Sequence, residues 1–204
     1  MTANGCVAGQ GSCPAVSVLG TLLRGAGQVM FQNSPWTGLL FLCGIAWGAW
    51  NAGRPEIFFG ALLGLAAGTA TGCLLGAPRS DVRAGLHGYN GILVGCALPV
   101  FLEGGAVCWL LIALGAMFST VIMLAVSRVF ASWKVSAMTG PFVFATWFIL
   151  LASYSFAGFD AAALPHPALP ALPHDAVSLF SAEAFFISSL VGVSQVFLIN
   201  DPVT

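Results

Sequence analysis

Charge is scarce in this chain. Its 204 residues include six Lys or Arg and seven Asp or Glu, so charged residues make up 6% of the sequence. A soluble domain carries about a quarter, and a surface this poor in charge could not be covered in water. No basic run suggests a nucleic acid partner. Only three histidines are present, at 87, 166 and 174, and the sequence holds no H-E-x-x-H, G-x-S-x-G or G-x-x-x-x-G-K-[ST]. Carboxylates are nearly absent from the apolar stretches; Glu103 and Glu183 stand at their ends. Enzyme chemistry lacks a nucleophile–base or metal set, and a proton-driven pump lacks the buried ionisable groups it needs. The six cysteines form no C-x-x-C and read as small hydrophobes rather than a disulfide or metal framework. No metal or cofactor is implied. Residues 1–15 have neither a positive start nor a long apolar run, so they read as a short tail rather than a cleaved signal.

What is abundant is apolar. Hydrophobic residues make up 58% of the chain, and the mean hydropathy is +0.95. The fold class is therefore an all-α integral membrane protein. Crossing helices are expected over residues 16–31, 36–50, 57–76, 106–130, 139–159 and 177–199. Residues 88–102 are apolar but too short to cross, which suggests a helix that re-enters and lines a cavity. The stretch DAAALPHPALPALPH carries four prolines and reads as a semi-rigid linker over residues 160–176. That divides the chain into a tail (1–15), a first membrane repeat (16–159), the linker (160–176) and the start of a second repeat (177–204). The basic residues Arg54, Arg128 and Lys134 favour a cytoplasmic N-terminus, with Arg79 and Arg83 against it.

The division rests on a repeat. GQVMFQNSPWTG (27–38) and SQVFLINDPVT (194–204) share Gln-Val, Asn, Pro and Thr at a constant offset of 167 residues. Five crossing helices in one repeat would make the next enter from the opposite side, so the repeat is an inverted one, with a site between the copies. The polar, uncharged residues in apolar surroundings are the candidates for that site: Gln28, its repeat partner Gln195, and Thr139 ahead of Gly140-Pro141. Phe31 lies three residues after Gln28, so one helix face is expected to offer a ring beside an amide. Such groups suit a flat, neutral solute that trades water for protein hydrogen bonds. Glycines at 60, 64, 68, 72 and 76 form a stripe expected to admit a neighbouring backbone, and glycines 88, 91 and 95 let the short segment pack tightly.

Three blocks, GQVMFQNSPWTGLL, GLHGYNGILVGCALPVF and WKVSAMTGPF, together resemble the first half of a urea transporter over residues 24–142. In that family a G-Q-V helix start is followed by a pore helix after G-[FY]-N-G-x-L-x-G, and by a late helix opening L-P-x-x-T-x-P-F. SSLVGVSQVFLINDP resembles the start of the family's second half. The resemblance implies a passive, channel-like path for urea, a homotrimer with one pore per protomer, and an inner (plasma) membrane location. It also implies that Gln28 and Phe31 stand at the mouth, Tyr89 is the clamping aromatic, Leu93 the aliphatic wall and Thr139 the constriction hydroxyl. Gln195, Val196 and Leu198 would be the second-half counterparts. Val135-Ser136 replace the usual L-P, and Val143 stands where Asn is common.

The alternatives are a channel for another small neutral amide and a non-transporting, truncated or pseudo-transporter membrane protein. Water channels carry contiguous N-P-A, whereas here the pairs are Asn33-Ser34-Pro35 and Asn200-Asp201-Pro202; ammonia channels need paired histidines, and only His87 is near apolar sequence. A second pore helix and threonine block would lie past Thr204, so the expectation is one repeat plus the first helix of the next.

Overall fold

A computed structural model of the chain describes residues 15–103 and 105–155, and these fold into helices. In order they are α1 (Ala15–Gly27), α2 (Pro35–Asn51), α3 (Glu56–Leu74), the short α4 (Arg79–Arg83), α5 (Tyr89–Phe101), α6 (Ala106–Phe130) and α7 (Gly140–Ser155). The tail to residue 14, the expected linker (160–176) and the expected second-repeat segment (177–204) with Gln195, Val196 and Leu198 lie outside the described residues.

Local sequence explains the helix ends. Ser34 is extended (φ −131°, ψ 125°) and accepts a hydrogen bond from the Thr37 N–H, while Pro35 occupies the first helical position, where no intrahelical donor is needed. α3 ends in a paired C-terminal closure: the Gly76 N–H donates to Cys73 O at 3.2 Å and the Ala77 N–H to Gly72 O at 3.1 Å. Gly76 takes φ +70°, which glycine adopts without a Cβ clash. It therefore terminates α3 rather than extending the glycine stripe, which consists of Gly60, Gly64, Gly68 and Gly72.

That stripe meets α5. A Cβ on Gly64 would collide with the carbonyl oxygen of Gly91, and one on Gly95 with the carbonyl of Gly60. A Cβ on Gly68 would lie 2.8 Å from the carbonyl oxygen of His87, and one on Gly72 would lie 2.6 Å from the His87 side chain. Both helices lack side chains along the seam, so the backbones come together. Pro99, inside α5, has no N–H to offer the carbonyl of Gly95, and that carbonyl faces the bare Cα of Gly60.

α5 is the centre of the structure. Every residue from 89 to 99 is buried, and the helix packs most extensively against α3, then against α6 and α7. Its 13 residues reach only about 20 Å, short of the roughly 30 Å hydrocarbon core. The helix cannot cross, as its length in sequence suggests. Thr120 on α6 ties its N-terminal approach to the neighbours. The hydroxyl sits 3.2 Å from His87 O, 3.3 Å from Gly68 O and 3.1 Å from Ala116 O. At the other end, Arg54 Nη1 donates to Val100 O at 3.4 Å and Nη2 donates to Pro99 O, placing a cation on the C-terminal carbonyls of α5. Glu56 accepts from Arg54 Nε at 2.9 Å and orients the guanidinium.

Around this core the outer faces are greasy. Leu110, Leu114, Phe118 and Val121 on α6 and Phe144, Trp147, Phe148 and Leu151 on α7 are exposed, an arrangement suited to lipid. Among the described residues, two stretches are long and apolar enough to cross a bilayer by themselves, Glu56–Leu74 and Ala106–Trp133. Among the described residues four cysteines are free; Cys96 and Cys108 are buried as small core residues, whereas Cys43 and Cys73 are exposed.

Candidate functional site

The sequence candidates in the described residues fall into two places. The first is the junction after α1. The helix stops at Gly27, and residues 28–30 tighten into a single 3-10 turn. Phe31 closes that turn with φ 57° and is 59% exposed, while Gln28 is buried. A shared helix face for the two is therefore not formed, because the helix ends before either residue. Gln28 instead reaches the turn that follows α4: its Nε2 donates to Ala84 O at 2.9 Å. With the amide nitrogen committed, Oε1 takes no hydrogen bond among the described residues and is oriented by its partner atom.

The second place is where the N-termini of α5 and α7 meet. Tyr89 opens α5 and is 5% exposed; Leu93, one turn on, is equally buried. The Tyr89 hydroxyl donates to Met138 O at 2.6 Å. Asn90, fully buried, donates from Nδ2 to the same carbonyl at 3.4 Å. Its Oδ1 accepts from the Phe142 N–H at 3.2 Å, which satisfies one of the orphan donors in the first turn of α7. Met138 is held at φ 46°, a left-handed conformation uncommon for a side chain of that size. Thr139 follows it, half-buried, and its carbonyl accepts from the Val143 N–H at 3.3 Å. Its hydroxyl makes no hydrogen bond among the described residues.

The structure thus brings Tyr89 to the peptide that leads into Thr139 and keeps Gln28 on a separate junction. Three residues with a part in this arrangement escaped the sequence reading: Asn90, Met138 and Thr120. Asn90 stood inside the quoted G-Y-N-G block, and an amide at a helix start is itself a signal. The left-handed turn at Met138 has no counterpart in residue type. His87 is 3% exposed, and among the described residues neither ring nitrogen has a hydrogen-bond partner; it packs against Gly72 as part of the seam.

Chemically, the second place offers a hydroxyl beside the N-terminal ends of two helices. Among the described residues no group of three or more His, Cys, Asp or Glu could hold a metal ion, and the ion pair they form, Arg54–Glu56, stands at the start of α3, at the opposite end of α5. The family model for "Urea transporter" matches residues 19–204. The chain belongs to the urea transporter family. Urea transporter 1 of Rattus norvegicus is 33% identical over 186 residues, covering 90% of this chain and 47% of that protein. Urea transporter 1 of Ovis aries is 30% identical over 191 residues, covering 92% and 48%. The chain spans about half the length of the curated relatives it matches. Membership makes it a membrane protein of a transporter family, in agreement with its helical architecture and apolar outer faces. The matched span includes all eight candidate residues.

Proposed function

We propose that this protein conducts urea passively across the membrane through a narrow slot, one wall of which is formed where α5 and α7 meet. The observation that carries the reading is the meeting of Tyr89 with the Met138–Thr139 peptide, in a chain whose relatives are named for urea transport. Urea is flat, with two N–H₂ donors and one carbonyl acceptor. The half-buried Thr139 hydroxyl and the oriented Gln28 Oε1 are acceptors for those donors. Leu93 and the ring of Tyr89 supply apolar walls that would contact its faces. The N-terminal ends of α5 and α7 carry partial positive charge, which suits the urea carbonyl and opposes cations. A neutral cargo moving down its gradient needs no coupled ionisable pair, which fits a passive path.

The opposite wall belongs to an inverted second repeat, in which Gln195, Val196 and Leu198 take the places of their first-repeat counterparts. The division into a 16–159 repeat, a 160–176 linker and a second repeat from 177 is part of the same reading. So are a homotrimer with one slot per protomer, residence in the inner (plasma) membrane and a cytoplasmic N-terminus. Stopped-flow light scattering on liposomes tests the substrate. Urea permeability should exceed that of glycerol and of empty vesicles. Equal permeability to formamide or acetamide would point to a general amide channel, and flux at the empty-vesicle level would point to a non-transporting membrane protein.

A further inference from the structure

The hydrogen bonds around Met138 assign a task to two side chains that does not require them to touch solute. We propose that the Tyr89 hydroxyl and the Asn90 amide are positioning residues that set the Thr139 hydroxyl in the slot. The inference rests on the reading of Thr139 as a slot-lining group.

The peptide joining Met138 to Thr139 is planar, so the direction of the Met138 carbonyl fixes that of the Thr139 N–H and the placement of its Cα. Two donors hold that carbonyl, Tyr89 Oη at 2.6 Å and Asn90 Nδ2 at 3.4 Å. Three residues past Thr139, the Phe142 N–H is held by Asn90 Oδ1 at 3.2 Å. Thr139 is bracketed between two points, both fixed by the first turn of α5. That turn is itself immobilised, because Asn90 is fully buried and Gly91 packs on Gly64 with no room for a side chain. Met138 sits in a left-handed conformation that costs energy for a non-glycine residue and persists only where neighbours enforce it. The clasp is such an enforcement. Phenylalanine at position 89 would keep the ring and lose the latch, so the hydroxyl has a use that a purely aromatic clamp does not.

The test is a double-mutant cycle on flux, with Tyr89→Phe, Thr139→Val and the combination reconstituted beside the wild type. Tyr89→Phe removes one oxygen and keeps the ring; monodispersity in detergent checks that each variant folds. The expected result is a urea permeability reduced about three- to ten-fold in Tyr89→Phe, the range one lost hydrogen bond spans, with the urea to N-methylurea ratio also lowered. In the Thr139→Val background, Tyr89→Phe should add nothing, since it acts through the hydroxyl already removed. Multiplying effects, or wild-type flux in Tyr89→Phe beside an impaired Thr139→Val, would overturn the positioning role alone. Wild-type flux in Thr139→Val would remove the slot reading and the positioning role with it.

Discussion

Gln28 Nε2 lies 2.9 Å from the carbonyl oxygen of Ala84, and this contact joins the turn after α1 to the turn before α5. The amide has one orientation that satisfies a carbonyl partner, with nitrogen inward and oxygen left over. Gln28→Glu keeps the shape and removes the donor, setting a carboxylate against a carbonyl in a buried place. The expected outcome is a loss of about 1–3 kcal/mol, read as a lowered thermal midpoint in detergent, together with loss of urea flux. A midpoint equal to the wild type would mean that the Ala84 contact does not hold the junction.

The α3–α5 seam makes a contrast that a single melting series can check. Gly64→Ala and Gly95→Ala place a methyl into an opposing backbone carbonyl. Neither backbone can withdraw without parting the helices, so each change should cost about 1–3 kcal/mol or more. Gly20 on α1 has nothing within 4 Å of a would-be Cβ, and Gly20→Ala should be neutral or stabilising by up to about 1 kcal/mol. Equal effects at all three positions would argue against close backbone approach at the seam.

Arg54 acts on α5 from the opposite end to Asn90. Arg54→Ala removes the cation from the Pro99 and Val100 carbonyls and leaves Glu56 without its partner. Because the Arg54 side chain is 33% exposed, the expected loss is modest, about 1 kcal/mol, and should shrink in Arg54→Lys by less than half, since a point charge cannot reproduce the fork. Thermal midpoints of the three proteins at low and high salt measure it. No change in Arg54→Ala would show that the C-terminus of α5 is held by packing alone.

His87 is buried, and among the described residues both ring nitrogens are without a hydrogen-bond partner; an unsatisfied polar group is a cost rather than a gain. His87→Leu should therefore leave the thermal midpoint unchanged or raise it, whereas His87→Ala should lower it by emptying the space beside Gly72. A sharp loss in His87→Leu would reveal a polar partner for the imidazole.

How much of this could be read from residues alone differs by element. The glycine spacing of four announced a close helix contact, and composition announced the membrane. The partner of the stripe was not legible, because pairing α3 with α5 is a tertiary choice that spacing does not encode. The short length of α5 was legible, since apolar content and length can be counted. The end of α1 was not. Ser34-Pro35 marks the start of α2, but the left-handed closure at Phe31 uses a residue type that gives no warning of it. That closure separated Phe31 from Gln28, two residues that look paired at helical spacing. Arg54 was read only for orientation, because charge counting is blind to what a side chain caps. At the candidate site, residue type drew notice to the Tyr89 ring, while its hydroxyl and the neighbouring Asn90 carry the contacts.

The most direct measurement is the urea permeability of liposomes carrying Thr139→Val, compared with the wild type at matched protein content. Valine keeps the volume and removes the one hydroxyl at the start of α7. The account predicts a loss of urea flux of about five-fold or more, with glycerol flux at the empty-vesicle level in both. Urea permeability unchanged from the wild type would contradict the placement of Thr139 in the path.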